Sequence, residues 1–481
     1  MDDMNRRDFV IAAIGGMSIA ASPRALDALA PAQPGMHVRH NVYCLNPRGR
    51  VLRSYARAVT VMQGRPSTDP TSWSAQAAIH GTLTPTPGMI VNSCEHGTRF
   101  FFSWHRMYLY FFERIVRQAS GDPAFALPYW GYSPTGDRAL PVSFRTPAAA
   151  TNPLYVASRR VAVNAGTPLT ASVVDAGPAL GQLTFNPFTN ALEGTPHNVV
   201  HGAVGGLMGS VPRAAGDPIF YLHHAQIDRL WDVWIGSGGG RANPTDAPWL
   251  TRSYDFYDET GTRVSMTGTQ VLDDARQLRY RYAPDRCGQG VARGFDAAAL
   301  RRITRVPLEP RFLAMADTVR RRPPLPEAVM AAQAQAPVTL GAAAADTRLP
   351  VSPEARRLLA GFKTEQTGNR VELWLEDIRL EGEPEVFYEL YVNLPTDVRD
   401  TVYTSPHYVG NLDFFGAAEG AQRRRFNLIP VFLRLLELNR WAEDTVRLTF
   451  VPRPFTEGDN PARLLGPRTQ AVVGRVSIRI E

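Results

Sequence analysis

Seven of the ten histidines fall into two groups, His80, His96 and His105 first, then His197, His201 and the adjacent pair His223/His224. His197 and His201 stand at i, i+4, a spacing that puts two imidazoles on one face of a helix. Three neutral ring nitrogens per ion suit copper, zinc, iron or nickel rather than magnesium or calcium. Carboxylates are sparse at this spacing. Glu193 lies four residues before His197, and Asp228 lies four after His224. A single three-histidine set would be read as a zinc site or as core packing. Two sets interleaved with aromatic residues point to a two-metal centre.

These side chains need rigid carriers, and the sequence supplies them. Asp217-Pro218 reads as an N-cap followed by a proline at the first helical position. The helix it opens places Phe220, His224, Ile227 and Trp231 on one face. Asp69-Pro70 opens a helix running to His80 in the same way, and Thr195-Pro196 opens the one bearing His197 and His201. A short helix is expected over Arg53–Gln63 and a long aromatic one over Met107–Arg117. Residues 127–181 read as loops with short elements. The periodicity then changes. The segments 370–379, 386–393, 445–451 and 475–480 alternate like half-buried strands, with one helix over 428–439.

At 481 residues the chain is long enough for two to three domains, and 44% hydrophobic residues fill large cores. The formal charge is +7. Of the 52 basic residues all but Lys363 are arginine, scattered with no run longer than three. No basic stripe with interleaved aromatics is present, which argues against nucleic-acid binding. Three cysteines are too few for a disulfide framework. Cys44 and Cys287 can pair in an exported protein, and equally all three can be buried thiols. The organisation expected is a leader over 1–30, a histidine-bearing domain over 31–320, an Ala/Pro-rich linker over 321–349 and a β-rich domain over 350–481. In the leader, Asn5-Arg-Arg-Asp-Phe-Val10 resembles a twin-arginine export motif. Its apolar run, residues 10–21, is too short to span a membrane. An exported protein without a stable membrane anchor is the expectation.

Three motifs together carry a resemblance. They are Cys94-x-His96-Gly-x-x-x-Phe-x-x-Trp-His105-Arg, Pro196-His197-Asn-x-x-His201, and Asp217-Pro-x-Phe-x-x-His-His224-x-x-x-Asp228-Arg-x-Trp. In this order they resemble the two copper signatures of the tyrosinase and polyphenol oxidase family, over residues 40–285. Tyr280-x-Tyr282 resembles the tyrosine motif that closes the catalytic domain there. The resemblance implies a mainly α domain, a four-helix bundle around two copper ions, followed by a smaller β-rich, sandwich- or barrel-like domain.

It also implies roles. His80, His96 and His105 would bind one copper, and His197, His201 and His224 the other, since His224 follows Phe220 by four residues as His105 follows Phe101. His223 would pack beside the site. Cys94 resembles the cysteine that some members join to a copper-binding histidine by a thioether. Phe101 and Phe220 would back the ligands, and Asp228 would either stand behind them too or anchor its helix. Glu193 and Asn198 resemble the pair that orients a water as base in members that hydroxylate monophenols, and Gly202 would leave the mouth open. The β-rich domain is expected either to shield the mouth, with Tyr408, Phe414 or Phe415 as the plug, or to stabilise passively. The implied partners are O2 and small phenols, oxidised to o-quinones. Catechol oxidase and o-aminophenol oxidase are the alternatives within the class. A haemocyanin-like oxygen carrier is the alternative outside it.

Overall fold

The computed structural model describes residues 35–285, 287, 328–364, 370–395, 402–441 and 444–481. The twin-arginine-like segment lies outside these residues.

Helices Arg50–Gln63, Trp73–His80, Phe101–Ser120, Val199–Val204 and Ile219–Gly236 build the first half of the chain. The aromatic helix begins earlier than its apolar spacing suggested, at Phe101, so His105 sits one turn inside it. It ends at Gly121, whose positive φ of 64° lets the chain reverse there. The helix to His80 starts later than expected. Asp69 forms a turn, its Oδ1 accepting from Thr71 N, and Ser72 caps the helix by accepting from Ala75 N. Asp217 does cap its helix, accepting from Ile219 N at 3.1 Å. Thr195 is extended as a cap should be (φ −137°, ψ 124°), at the kink before Pro196.

Buried ion pairs lock these helices together. Arg159 holds Asp217 at 2.6 Å with both side chains fully buried. Arg106 on one helix holds Asp228 on another at 2.5 Å. Tyr280 and Tyr282 each donate a hydroxyl to Asp228 at 2.6 Å, and Arg39 pairs with Glu113 at 2.7 Å. The tyrosine strand β4 (Tyr280–Tyr282) pairs in parallel with β1 (His37–Arg39). A disulfide between Cys44 and Cys287 closes the same edge. Between them, β2 (Ser253–Tyr257) and β3 (Arg263–Thr267) form a hairpin.

The second half is a β-sandwich. One sheet has the order β10-β9-β12-β7, from Tyr408–Leu412, Val386–Val392, Thr445–Pro454 and Ala345–Pro350. The other has the order β11-β8-β13-β5, from Gln422–Asn427, Val371–Leu380, Ala471–Ile480 and Val329–Gln333, with β6 (Val338–Leu340) also on β13. The core between them includes Leu373, Leu375, Leu390, Leu448, Phe450 and Val476. The linker expected over 321–349 is therefore corrected. Its described part carries β5, β6 and β7, and β7 pairs with β12 from Ala345 to Pro350. Its alanines and prolines masked short strands that only non-local pairing stabilises. Among the described residues, no helix is long and apolar enough to cross a membrane.

The sandwich is clasped to the helical half. Thr170 N donates to Phe455 O and Glu457 N to Pro168 O, both at 2.9 Å. Asn411 Nδ2 donates to Ser172 O at 2.8 Å. Asn427 bonds Gln182 at 2.8 Å, and Arg138 pairs with Glu457 at 2.6 Å.

Candidate metal centre

Four helices and one loop aim six imidazoles at one buried space. His80 ends its helix, His105 lies in the first turns of the aromatic helix, and His96 comes from the loop before it. Their ring centroids are 5.1 to 5.8 Å apart. In the second group His197 lies 4.6 Å from His201 and 4.9 Å from His224. The groups face each other, with His105 stacked on His224 at 4.5 Å and His96 at 5.6 Å from His197.

Four of the six rings are oriented from outside. The Nδ1 atoms of His80, His105 and His201 meet the main-chain carbonyls of Val211, Phe101 and Met208 at 3.1, 2.8 and 2.8 Å. His197 Nδ1 meets Asn198 Oδ1 at 2.8 Å. A carbonyl can only accept, so it fixes the proton on Nδ1 and leaves Nε2 as a lone pair pointing inward. The Nε2 atoms of His80, His96, His105 and His197 are buried with no hydrogen-bond partner. The Nε2 atoms of His201 and His224 face each other at 3.2 Å. Buried, unpartnered nitrogens are costly unless a cation takes them. Burial depresses the basicity of all six, with neighbouring rings adding to it at five and the Arg424 charge at His96, so they stay in the neutral, metal-binding form. The donor set therefore fits two ions that favour imidazole.

Aromatic rings back both groups. Phe101 touches His105 and His197 at 4.6 and 4.8 Å, and Phe220 touches His224 and His80 at 4.1 and 4.9 Å. Of its two expected roles, Asp228 takes that of a helix anchor. Its carboxylate is taken up by Arg106, Arg39, Tyr280 and Tyr282, so it anchors the helix rather than a ligand. Cys94 Sγ lies 3.4 Å from His96 Nδ1, and burial pushes its thiol up to about 12.

Glu193 is buried and accepts from Gly97 N at 2.6 Å. Burial pushes its carboxyl up to about 8. The Asn198 amide nitrogen reaches Asp413 of the sandwich at 3.4 Å. Asp413 is in turn gripped by Arg424 at 2.7 Å, and Arg424 also donates to Phe415 O.

Of the three plug candidates, Phe415 lies on the site. It stacks on His201 at 4.2 Å and 19°, and presents its ring to His96 and His197 at 5.9 and 5.8 Å. Phe414 and Tyr408 are corrected. Phe414 packs in the sandwich core against Tyr388, and Tyr408 packs on Tyr391 and bonds Asn411. Alternation along the chain sends neighbouring residues to opposite sides, and local sequence cannot say which side meets the helices. Gly202 is not left open either. The Phe455 ring lies 3.4 Å from where a Cβ would stand and is capped by Arg160 at 4.7 Å. Sequence reading missed Phe455, Asp413 and Arg424, which reach the site only through domain docking.

The tyrosinase common central domain model matches residues 70–178 and 142–237, and the polyphenol oxidase middle domain model matches 243–287. Residues 70–237 thus match the tyrosinase central domain. Tyrosinase HcTyr1 of a Hahella strain is 36% identical to it over 305 residues, 52% of this chain and 64% of that protein. The latent polyphenol oxidase of Prunus armeniaca is 32% identical over 48% of this chain and 46% of that protein. The chain thus spans about half to two-thirds of the length of these relatives. A solved latent apple tyrosinase superposes with a TM-score of 0.62 at 22% identity, covering 94% of this chain and 98% of that one. That likeness extends the shared fold to the sandwich.

Proposed function

We propose that this chain is an O2-dependent phenol oxidase holding two copper ions, with His80, His96 and His105 on one and His197, His201 and His224 on the other. The observation that carries the reading is the set of buried, unpartnered Nε2 atoms, with the His201–His224 pair at 3.2 Å, in one enclosed space. Bound copper would relay electron pairs from catechol to O2, which leaves an o-quinone and carries the released protons away as water. The chain's own residues do the rest. Phe101 and Phe220 exclude water and stiffen the rings. Phe415 occupies the place against His201 where a phenol ring would lie.

Glu193 and Asn198 are the pair to hold a water that takes the phenolic proton, since a free phenol titrates near about pH 10. This favours tyrosinase over a catechol or o-aminophenol oxidase. In the closed chain Asp413 engages the Asn198 amide, so we read the sandwich as a shield that both plugs the mouth and ties up this residue. We also infer export. The Cys44–Cys287 disulfide suits an oxidising compartment, and Arg6-Arg7 suits a twin-arginine leader.

The test is oxygen uptake with tyrosine, a catechol and an o-aminophenol, before and after proteolysis within residues 288–327, with copper counted per chain. Two coppers, a low rate before cleavage and a high rate after it are expected. Reversible O2 binding with no diphenol turnover after cleavage would replace this reading with an oxygen carrier.

A further inference from the structure

His80 and His201 belong to different histidine groups, and one short segment orients both. The main-chain carbonyls of Met208 and Val211 face His201 Nδ1 at 2.8 Å and His80 Nδ1 at 3.1 Å. We propose that residues 208–211 form a strap that sets one imidazole of each group at once, and that Gly81 is the positioning residue that lets the strap lie this close. Its consequence for metal binding rests on the dinuclear reading above.

The argument begins with space. Gly81 follows His80 and ends its helix in extended backbone, φ −169° and ψ 149°, a conformation open to any residue. The missing side chain matters for another reason. A Cβ at this position would stand 2.7 Å from Pro212 Cα and 2.9 Å from Val211 O, whereas non-bonded carbons settle at about 3.5–4.0 Å. Both neighbours are main-chain atoms, so no side-chain rotation makes room. The crowded oxygen is the one that faces His80 Nδ1. That contact is already 3.1 Å, near the long end of the range for such bonds, about 2.7–3.2 Å. A displaced strap breaks it.

The strap is fastened along the same helix. Trp73, the first residue of that helix, donates its indole N–H to Gly216 O at 3.1 Å. Arg213 N donates to Ser210 O at 3.0 Å, closing a turn around Val211. Met208 is fully buried, and Ser210 Oγ donates to Glu419 of the sandwich at 3.0 Å. His105 is the built-in contrast. Its Nδ1 faces the carbonyl of Phe101, on its own helix, and owes nothing to the strap. Moving the strap as a unit therefore disturbs one ring of each group and spares His105.

The experiment uses the full chain with isotope-labelled histidine rings. NMR reads the ring N–H signals of the metal-free protein, and chelator competition reads copper retention. Gly81→Ala is expected to shift the His80 and His201 signals together while that of His105 holds. Both coppers should then leave at roughly 10- to 100-fold less chelator, the usual cost of losing an outer contact to a ligand. Trp73→Phe, which removes the donor to Gly216, is the milder second variant and should move the same two signals. Gly268→Ala, whose Cβ would stand 2.3 Å from Trp249 O, is the crowding control. It should lower the melting temperature and leave the signals and chelator midpoints alone. His80→Gln should weaken one copper only. The proposal fails if Gly81→Ala and Trp73→Phe shift the His80 signal alone or neither signal. It also fails if His80→Gln costs the second copper as much as Gly81→Ala does, since the ions then couple without the strap. Paired shifts in a chain that binds fewer than two coppers would uphold the strap and defeat the dinuclear reading.

Discussion

Phe455→Ala should open the closed chain. The Phe455 ring is 4% exposed, rests 3.4 Å from the Gly202 Cβ position and lies under the Arg160 guanidinium at 4.7 Å. Returning a buried phenylalanine to water costs about 1.5–3 kcal/mol, and a desolvated cation–π contact adds about 0.5–2 kcal/mol. Together these give about 2–5 kcal/mol that the closed state holds and the open state lacks. At about 1.4 kcal/mol per decade, losing them raises the open-to-closed ratio roughly 30- to several thousand-fold. A chain resting near 0.1% open, at the low end for a minor state, would become at least a few per cent open. The assay is the initial rate of catechol oxidation by the uncleaved variant, expressed as a fraction of the rate after cleavage within 288–327. Val402→Ala, at a side chain 51% exposed, is the control and should change nothing. An uncleaved Phe455→Ala chain with the parent's rate, and with the sandwich still bound after nicking, would refute the reasoning.

Asp175 should make stability fall with rising pH. Burial raises its carboxyl to about 6, above the ordinary 3.8, so the folded chain holds a proton that the unfolded chain gives up. That contribution is complete below about pH 4 and is lost as the pH rises through about 6, up to about 3 kcal/mol. Asp175→Asn should flatten urea midpoints measured from pH 4.5 to 7.5; an unchanged slope would count against this account. Arg159→Met strands the fully buried Asp217 carboxylate and should lower stability by about 3–5 kcal/mol in denaturant titration; a loss under 1 kcal/mol would mean the pair is dispensable. Asn198→Gly should lower the monophenol-to-diphenol turnover ratio of the cleaved enzyme. An equal fall in both rates would remove Asn198 from the proton-handling role.

The histidine groups and their helices were legible because metal-binding chemistry is written at short spacing. Asp217 and His224 share one helix, and i, i+4 pairing needs no tertiary knowledge. The β-rich character of the second half was legible from alternation for the same reason. What could not be read were the consequences of docking. Phe415 rather than Phe414 meets the imidazoles because of how one strand-end loop faces a helix surface. Asp228 stood between two roles because its two tyrosine partners arrive from some fifty residues downstream. Strands β5 to β7 were hidden in an alanine- and proline-rich composition, since strand pairing in a sandwich is decided by distant partners.

The Cys44–Cys287 bond changes what proteolysis can do. It joins positions 243 residues apart in sequence, turning the helical half into a covalent ring from which the sandwich hangs as a pendant. A cut beyond Cys287 removes the pendant and leaves the ring closed, with β1 still paired to β4. In the chain-entropy picture a ring of that size withholds about 5 kcal/mol from the unfolded state. The cleaved enzyme keeps this constraint in full. A protease acting beyond Cys287 would therefore cut only the tether, and a reductant would be needed to loosen the helical half.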